Sequence, residues 1–396
     1  MNIELSRKNL KISPSLTLSI DAKAKQMKKE GIDIISFGVG EPDFDTPKNI
    51  KDAGIEAIKN NHTKYTPISG LIELKEAICN KLYKENGLKY DVENIIISNG
   101  AKHSIWNTCQ AICNPGDEVI IPTPYWISYP EMVKMADAIP VFVQCSESNE
   151  FKLKIEDLLS AITDKTKAII LNSPSNPTGS VYTREELEEI AKIAVEKNIL
   201  IISDEIYEKL IYDNNKHISV ASLNPEIKER TILINGMSKG YAMTGWRIGY
   251  TASNAEIAKL MQNIQGHVTS NPNTIAQYAS IEALNGDQNT MDDMLISFNE
   301  RREYMVSKIN NIKDLSCIIP KGAFYVMMNI SKWIGREIQG IKINNSIDFA
   351  DVLLTYANIA TVPGAAFGAD NYIRLSYATS LESIKEGLNR IDNLLK

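Results

Sequence analysis

The sequence predicts an α/β protein whose main sheet is mostly parallel, and three features lead to that reading. Short β-branched runs recur along the chain, helical patterns fill most of the intervals between them, and polar residues gather where the runs end. In parallel α/β sheets those carboxyl ends are where ligands bind.

The runs are "NIIIS" (94–98), "DEVIIP" (117–122), "IPVFV" (139–143), "KAIILN" (167–172), "ILIIS" (199–203), "TILING" (231–236) and "RIGYTA" (247–252). Each is continuously apolar, as strands buried on both faces are. Among the helices, "TREELEEIAKIAVEKN" (183–198) opens on a capping box made by Thr183 and Glu186. The turn cluster "ALNGDQNTMDD" (283–293) ends the alternation, and a long helix from about 291 to 312 follows. Beyond it, "AFYVMMNI" (323–330) and "NYIRLSYA" (371–378) predict strands of a smaller α+β unit. The strand-like "DIISFGVG" (33–40) places the first residues with that unit. The expected division is therefore a large domain over 47–290 and a small one formed by 1–46 and 291–396.

With 396 residues, two domains are the better expectation. Lysine and arginine total 43 against 49 aspartates and glutamates, without a run of either sign, which argues against nucleic acid or an anionic membrane as partner. No segment has the length of a membrane span and the N-terminus lacks a secretory apolar run, so a cytoplasmic protein is expected. Five scattered cysteines fit reduced thiols. Cys109 and Cys113 lie four apart on a predicted helix, but no His, Asp or Glu completes a metal set beside them, and they read as two small buried residues.

Several residues after the runs carry polar chemistry. Asp204 and Tyr207 follow one strand in "SDEIYEKL"; alone, Asp204 reads as a helix cap. Asn176 sits in the proline-framed loop "LNSPSNPTGS" (171–180), which fits a plain turn or a positioned amide equally. "ISNGAKHSIWN" (97–107) passes from strand to helix through Gly100, Ala101 and Lys102, whose free N–H groups attract phosphate. Arg247 and Arg374 lie inside apolar segments, where a guanidinium needs an anionic partner, a structural carboxylate or a ligand. Lys239, in "NGMSKGYAMTGWRIGY" (235–250), stands among small and apolar residues, either a solvated charge or an amine kept for chemistry. A Schiff-base lysine, an aspartate for a pyridinium nitrogen, and a helix N-terminus with an arginine for a phosphate are together what pyridoxal phosphate requires.

The motifs "GEPDFDTP" (40–47), "TKYTPISG" (63–70), "SNGAKHS" (98–104), "NPGDEVIIPTPYWISYP" (114–130), "NSPSNPTG" (172–179), "SDEIYEKL" (203–210), "SKGYAMTGWRIGY" (238–250) and "YIRLSYA" (372–378) cover nearly the whole chain. In this order they resemble the class I aminotransferases of the aspartate aminotransferase fold, most closely their bacterial aspartate aminotransferase branch. The resemblance implies that Lys239 forms the Schiff base and later carries the proton, that Asp204 holds the pyridine nitrogen protonated, and that Asn176 and Tyr207 bond the ring oxygen. It implies that Trp126 stacks on the ring, that Gly100, Ala101 and Lys102 bind the phosphate through their N–H groups with Arg247, and that Arg374 grips the substrate α-carboxylate with the Gly40 backbone. Tyr65 is similar to a tyrosine that reaches the phosphate of a neighbouring subunit, which implies a homodimer with shared sites. Gly240 and Ala242 would let the backbone pass close to the ring. Gly236 stands where many relatives carry a phosphate-binding serine, and Ser238 is adjacent to the lysine instead.

The implied activity is aspartate aminotransferase: L-aspartate and 2-oxoglutarate give oxaloacetate and L-glutamate by a ping-pong route. An aromatic or broad-specificity aminotransferase is the alternative, because spacing identifies no group for a distal carboxylate. Lys11, Ser15 and Thr17 lie in the segment that covers the site in relatives. A cofactor-sensing regulator would need a DNA-binding module, for which the segment before "GEPDFDTP" is short.

Overall fold

Isoleucine dominates the main sheet. Numbering strands in chain order from β1 (Ile35–Ser36), the sheet comprises β2 (Ile95–Ser98), β3 (Glu118–Thr123), β4 (Ile139–Gln144), β5 (Thr166–Asn172), β6 (Leu200–Asp204), β7 (Thr231–Gly236) and β8 (Gly249–Ala252). Their order is β2-β8-β7-β6-β5-β3-β4, with β8 antiparallel to its neighbours and the rest mutually parallel. The computed structural model describes residues 3–6, 9–14 and 16–396.

Every residue of the central strands β7 and β8 is buried, β6 is buried from Ile201 onward, and β2, at one edge of the sheet, is buried throughout. Each isoleucine taken fully from water contributes roughly 1.5–3 kcal/mol. β4 departs from the expectation, since Ile139 and Phe142 are 47 % and 43 % exposed. It lies at one edge of the sheet, paired with β3 alone, and unlike the opposite edge strand β2, whose Ile95 and Ile97 belong to a core with Leu74 and Ile78, it is left partly uncovered. The helix after β5 is Arg184–Glu196, and its capping box forms as expected: Thr183 N–H donates to Glu186 Oε2 (2.8 Å) and Glu186 N–H to Thr183 Oγ1 (3.3 Å). Cys109 is buried on helix Ala101–Ile112, whereas Cys113 caps its end, and burial pushes the Cys113 thiol up to about 11.

The long helix runs over Asn289–Asn311 and buries Phe298, Met305 and Ile309. It packs in a second core with β9 (Tyr325–Asn329). After β10 (Glu337–Ile338) and β11 (Ile341–Lys342), a short antiparallel pair, come β12 (Ile359–Ala360), β13 (Val362–Pro363) and β14 (Tyr372–Ser376). β14 lies between β13 and β9, with Arg374 opposite Met327. The segment near residue 35 contributes only the two residues of β1, which pair in parallel with β12, and Ala24 and Ile34 pack on Leu354 and Ala360. Tyr207, Leu210 and Tyr212, from the turn after β6, also enter this second core. That turn therefore touches both halves of the molecule. Among the described residues no helix is long and apolar enough to cross a membrane.

Candidate active site

The carboxyl ends of β2, β5, β6 and β7 open on a cavity of about 460 Å³. Because β8 runs the other way, its entry lies on the same edge: Gly249 stands between Ser98 and Gly236 in register, and Arg247 precedes it by two residues. Of the residues singled out in the sequence, Gly40, Ala101, Lys102, Trp126 and Asn176 line this cavity. Asp204, Tyr207, Lys239, Arg247 and Arg374 complete the group.

One end of the cavity is built for an anion. Gly100 caps helix 101–112 at φ +86, and a methyl group there would overlap the Arg247 guanidinium. Gly249 is equally constrained, since a Cβ would strike the backbone at Ala101. A Cβ at Gly236 would meet Ile248 O and Gly249, which gives this glycine a steric reason; Ser238 lines the cavity in its place. The Gly100 N–H donates to Ser98 O (2.8 Å) in this structure. The first helical N–H groups, those of Ala101 and Lys102, have no partner within the helix. Arg247, itself left-handed at φ 60, donates to Thr244 O (2.8 Å) and Asn99 O (3.3 Å) and pairs with no carboxylate among the described residues. The Lys102 ammonium lies 5.0 Å from the Trp126 ring centre, and burial, then Arg247, lower its pKa.

The floor carries the titratable chemistry. Asp204 is 4 % exposed and accepts from Tyr129 Oη (2.6 Å) and Ile206 N–H (3.2 Å). Burial raises its pKa to about 6 against these two bonds. Lys239 is half-buried and donates to Gly40 O. Burial brings its pKa down to about 8, with Glu41 pulling the other way and Arg247 and Arg374 adding repulsion. The opening alternative thus resolves toward a desolvated amine. Asn172 ties the floor together: its Nδ2 donates to Asp204 O (2.9 Å) and its Oδ1 accepts from Asn176 N–H (2.8 Å). The Asn176–Pro177 bond is cis.

Arg374 lies opposite, 3 % exposed, donating to Asn176 Oδ1 (3.1 Å) and Gly38 O (2.9 Å). Its Nε has no partner and its guanidinium no carboxylate among the described residues. A buried guanidinium so placed suits an incoming carboxylate.

Other expectations land elsewhere. Tyr65 is 90 % exposed and away from the cavity. Gly240 faces Lys209 and Met291; Gly100 and Gly249 make the close approaches instead. Lys11 is exposed, Ser15 lies outside the described residues, and so does the Thr17 side chain. The sequence reading missed Tyr129, Asn172, Tyr325 and the Lys102 ammonium. Asn172 was findable, since it ends β5 in register with Asp204. Tyr129 lies three residues after Trp126 at the start of a helix, and the two rings meet edge to face at 5.3 Å, whereas Tyr325 looks like plain core in "AFYVMMNI". Glu205, Glu208 and His217 converge within metal-ligand distance of one another, but the Lys81 ammonium already pairs with Glu208 there. A second, largely apolar cavity of about 750 Å³ adjoins the first and shares Lys102 and Arg247 with it.

Residues 32–391 match the model of the family described as aminotransferase class I and II. The chain belongs to that family. This aminotransferase is 51 % identical to the aspartate aminotransferase of Bacillus sp. (strain YM-2), over 97 % of each chain. It is 47 % identical to a Rickettsia felis protein named probable aspartate/prephenate aminotransferase, over 99 % of this chain and 96 % of that one. The crystal structure of the aspartate aminotransferase from Rhizobium meliloti superposes with a TM-score of 0.96 at 41 % identity, covering 100 % of this chain and 99 % of that one. The cavity of this aminotransferase thus joins one amine, one buried acid and three cations without carboxylate partners among the described residues, Lys102, Arg247 and Arg374.

Proposed function

We propose that this aminotransferase holds pyridoxal 5′-phosphate and transfers the amino group of L-aspartate to 2-oxoglutarate. The observation that carries the reading is the meeting of Lys239 and Asp204 in one cavity with Arg247 and Arg374, two cations without carboxylate partners among the described residues. The residues fit the cofactor. The glycine cradle and the Ala101 and Lys102 N–H groups with Arg247 suit its phosphate, Asp204 its ring nitrogen, Asn176 and Tyr207 its ring oxygen, and Trp126 its face. When bound, it supplies an electron sink for the charge left at the substrate Cα.

The chain's own residues do the rest. Lys239, with its pKa near 8, keeps a neutral fraction at physiological pH and can attach covalently or move the Cα proton. Asp204 offers a charge to a ring N–H, steadied by Tyr129. Arg374 takes the α-carboxylate in a fork, with the Gly40 backbone beside it. Lys102 supplies the cation for a distal carboxylate, because its ammonium lines both cavities and meets no acid among the described residues. Amino donor and oxo-acid acceptor would occupy the same cavity in turn, each held through its α-carboxylate by Arg374.

The division into a domain over 47–290 and one over 1–46 and 291–396 is part of the reading, as is a cytoplasmic location. So is a homodimer with shared sites. Tyr65, with the exposed Ile55, Ile58 and Ile72 of nearby helices, would face the second copy, and Tyr65 would reach its phosphate. The test is a half reaction: protein loaded with cofactor is mixed with L-aspartate alone. The bound cofactor's absorption should fall as oxaloacetate appears; a spectral change without keto acid overturns transamination.

A second reading, an aromatic or broad-specificity donor, is favoured by the adjoining cavity, walled by Trp106, Tyr125, Met132 and Phe142. Comparing kcat/KM for aspartate, tyrosine and alanine separates the two.

A further inference from the structure

Tyr325 is fully buried in β9, yet its hydroxyl end reaches the cavity. Its Oη lies 3.0 Å from Tyr207 Oη, at the centre of the floor. Its ring face underlies Arg374, with the guanidinium carbon 4.4 Å from the ring centre. Phe367 covers another side of that guanidinium at 5.0 Å, but has no polar atom to pass anything on. The two phenol rings meet edge to face, at 5.9 Å and 81°. Arg374 is on β14 and Tyr207 on the turn after β6, so Tyr325 touches a group from each half.

We infer that Tyr325 is a positioning residue that seats Arg374 with its ring and orders Tyr207 with its hydroxyl. This rests on the reading above, in which Arg374 meets the substrate carboxylate and Tyr207 the cofactor ring oxygen. A phenol has one proton to give. If Tyr207 gives its own to the ring oxygen, its oxygen is left to accept, and Tyr325 is placed to donate to it. Such a relay strengthens the terminal bond, because each donor polarises the next. The charge above Tyr325 works in the same direction: burial raises its pKa, while Arg374 and the Tyr207 bond oppose the rise. The groups that face the pair are Arg374 from β14, Asp204 from β6, and Lys239 from the segment after β7, whose ammonium is 5.8 Å from the Tyr207 ring centre.

The test is a spectrophotometric pH titration of the covalently held cofactor, in the full-length protein loaded with pyridoxal phosphate. Donation to the ring oxygen stabilises its anionic form and lowers the pH at which the absorption changes. Tyr325→Phe removes the hydroxyl and keeps the ring under Arg374. It should raise that pH by roughly half a unit to one unit, the size expected for one lost hydrogen bond. Affinity for succinate, measured by its spectral perturbation, should stay within about twofold, because the seat of Arg374 is intact. Tyr325→Leu removes the seat as well and should weaken succinate several-fold.

Tyr207→Phe is the control. If Tyr207→Phe leaves the titration unmoved, the assignment of Tyr207 to the ring oxygen fails. If Tyr207→Phe shifts it while Tyr325→Phe does not, that assignment stands and the inference about Tyr325 is overturned. In the double variant the two shifts should not add, and full additivity would equally overturn the relay. Should Tyr325→Leu fold poorly, Tyr325→Phe alone decides the hydroxyl's part.

Discussion

One short turn carries two buried charge clusters, on opposite sides. Asp204 and Tyr207 face the cavity, whereas Glu205 and Glu208 face back toward helix Ile72–Asn86 and the loop at 217–219. The rear cluster pairs both of its carboxylates, although His217 Nδ1 has no partner among the described residues. Glu205 accepts from Ser203 Oγ (2.8 Å), Ser219 Oγ (2.7 Å) and His217 Nε2 (2.8 Å), and Glu208 pairs with Lys81 and accepts from Asn86 Nδ2 (3.2 Å). The front is open, since Arg374 Nε has no partner and Lys102 and Arg247 meet no carboxylate among the described residues. Burial of charge alone therefore does not mark a site. Several unpaired cations gathered around one cavity do, because desolvated groups without their counterparts are costly unless a ligand supplies them.

The comparison breaks most easily at Lys239. Lys239→Ala should lower turnover on the order of 10⁴-fold or more while leaving the fold intact, since it removes both the attachment point and the proton carrier. Borohydride reduction followed by mass measurement checks it, and a cofactor still trapped on the variant would refute the assignment. At the rear, Lys81→Met leaves Glu208 without its cation and should cost about 3–5 kcal/mol in stability. Urea denaturation reads that loss. A variant that kept its stability but lost kcat/KM would make the rear cluster part of the machinery.

Arg374→Leu should act in the opposite sense. It should lower kcat/KM for amino donors by about 2–4 kcal/mol, roughly 30-fold to 10³-fold, yet leave the melting temperature equal or higher, because an unsatisfied cation is removed. A clear drop in melting temperature would mean the front is held together by its charges as the rear is.

The smallest effect is in acid. The Glu208 carboxyl is held down to about 2 by Lys81 and His217 despite burial. A depressed acid stabilises the fold above its ordinary value near 4.5 and loses that contribution as pH falls from there toward 2. Asp204 is raised to about 6 by burial, so its favourable contribution exists only in acid and disappears as pH rises through 6. Melting curves of the cofactor-free protein from pH 3 to 7 should therefore flatten on the acid side in Glu208→Gln and rise at neutral pH in Asp204→Asn. Identical profiles in the two variants would erase the distinction between the faces.

Much of the site was legible because its residues sit at chain positions that the fold must bring together. Asp204, Asn176 and Lys239 follow strands, and parallel strands point their carboxyl ends one way. Lys102 was legible only as backbone, because nothing local says where a long flexible side chain turns. Tyr325 was invisible because an aromatic in an apolar strand is ordinarily core, and most of its ring is. The exposure of β4 escaped for a similar reason: an apolar run does not say which strand other elements will cover, and of the two edge strands β2 is covered while β4 is not.

By itself the sequence determined the α/β alternation, the helix caps, the burial of the central strands and the cluster of residues at their ends. These are consequences of period, propensity and strand direction, which act over a few residues. The tertiary structure alone decided which charges would find partners. That β8 runs backwards and delivers Arg247 to the same edge, and that Lys81 pairs with Glu208 at the rear while Arg247 and Arg374 meet no carboxylate among the described residues, are facts of long-range placement. A charge is satisfied by whatever stands within about 3 Å of it, and no local pattern specifies that distance.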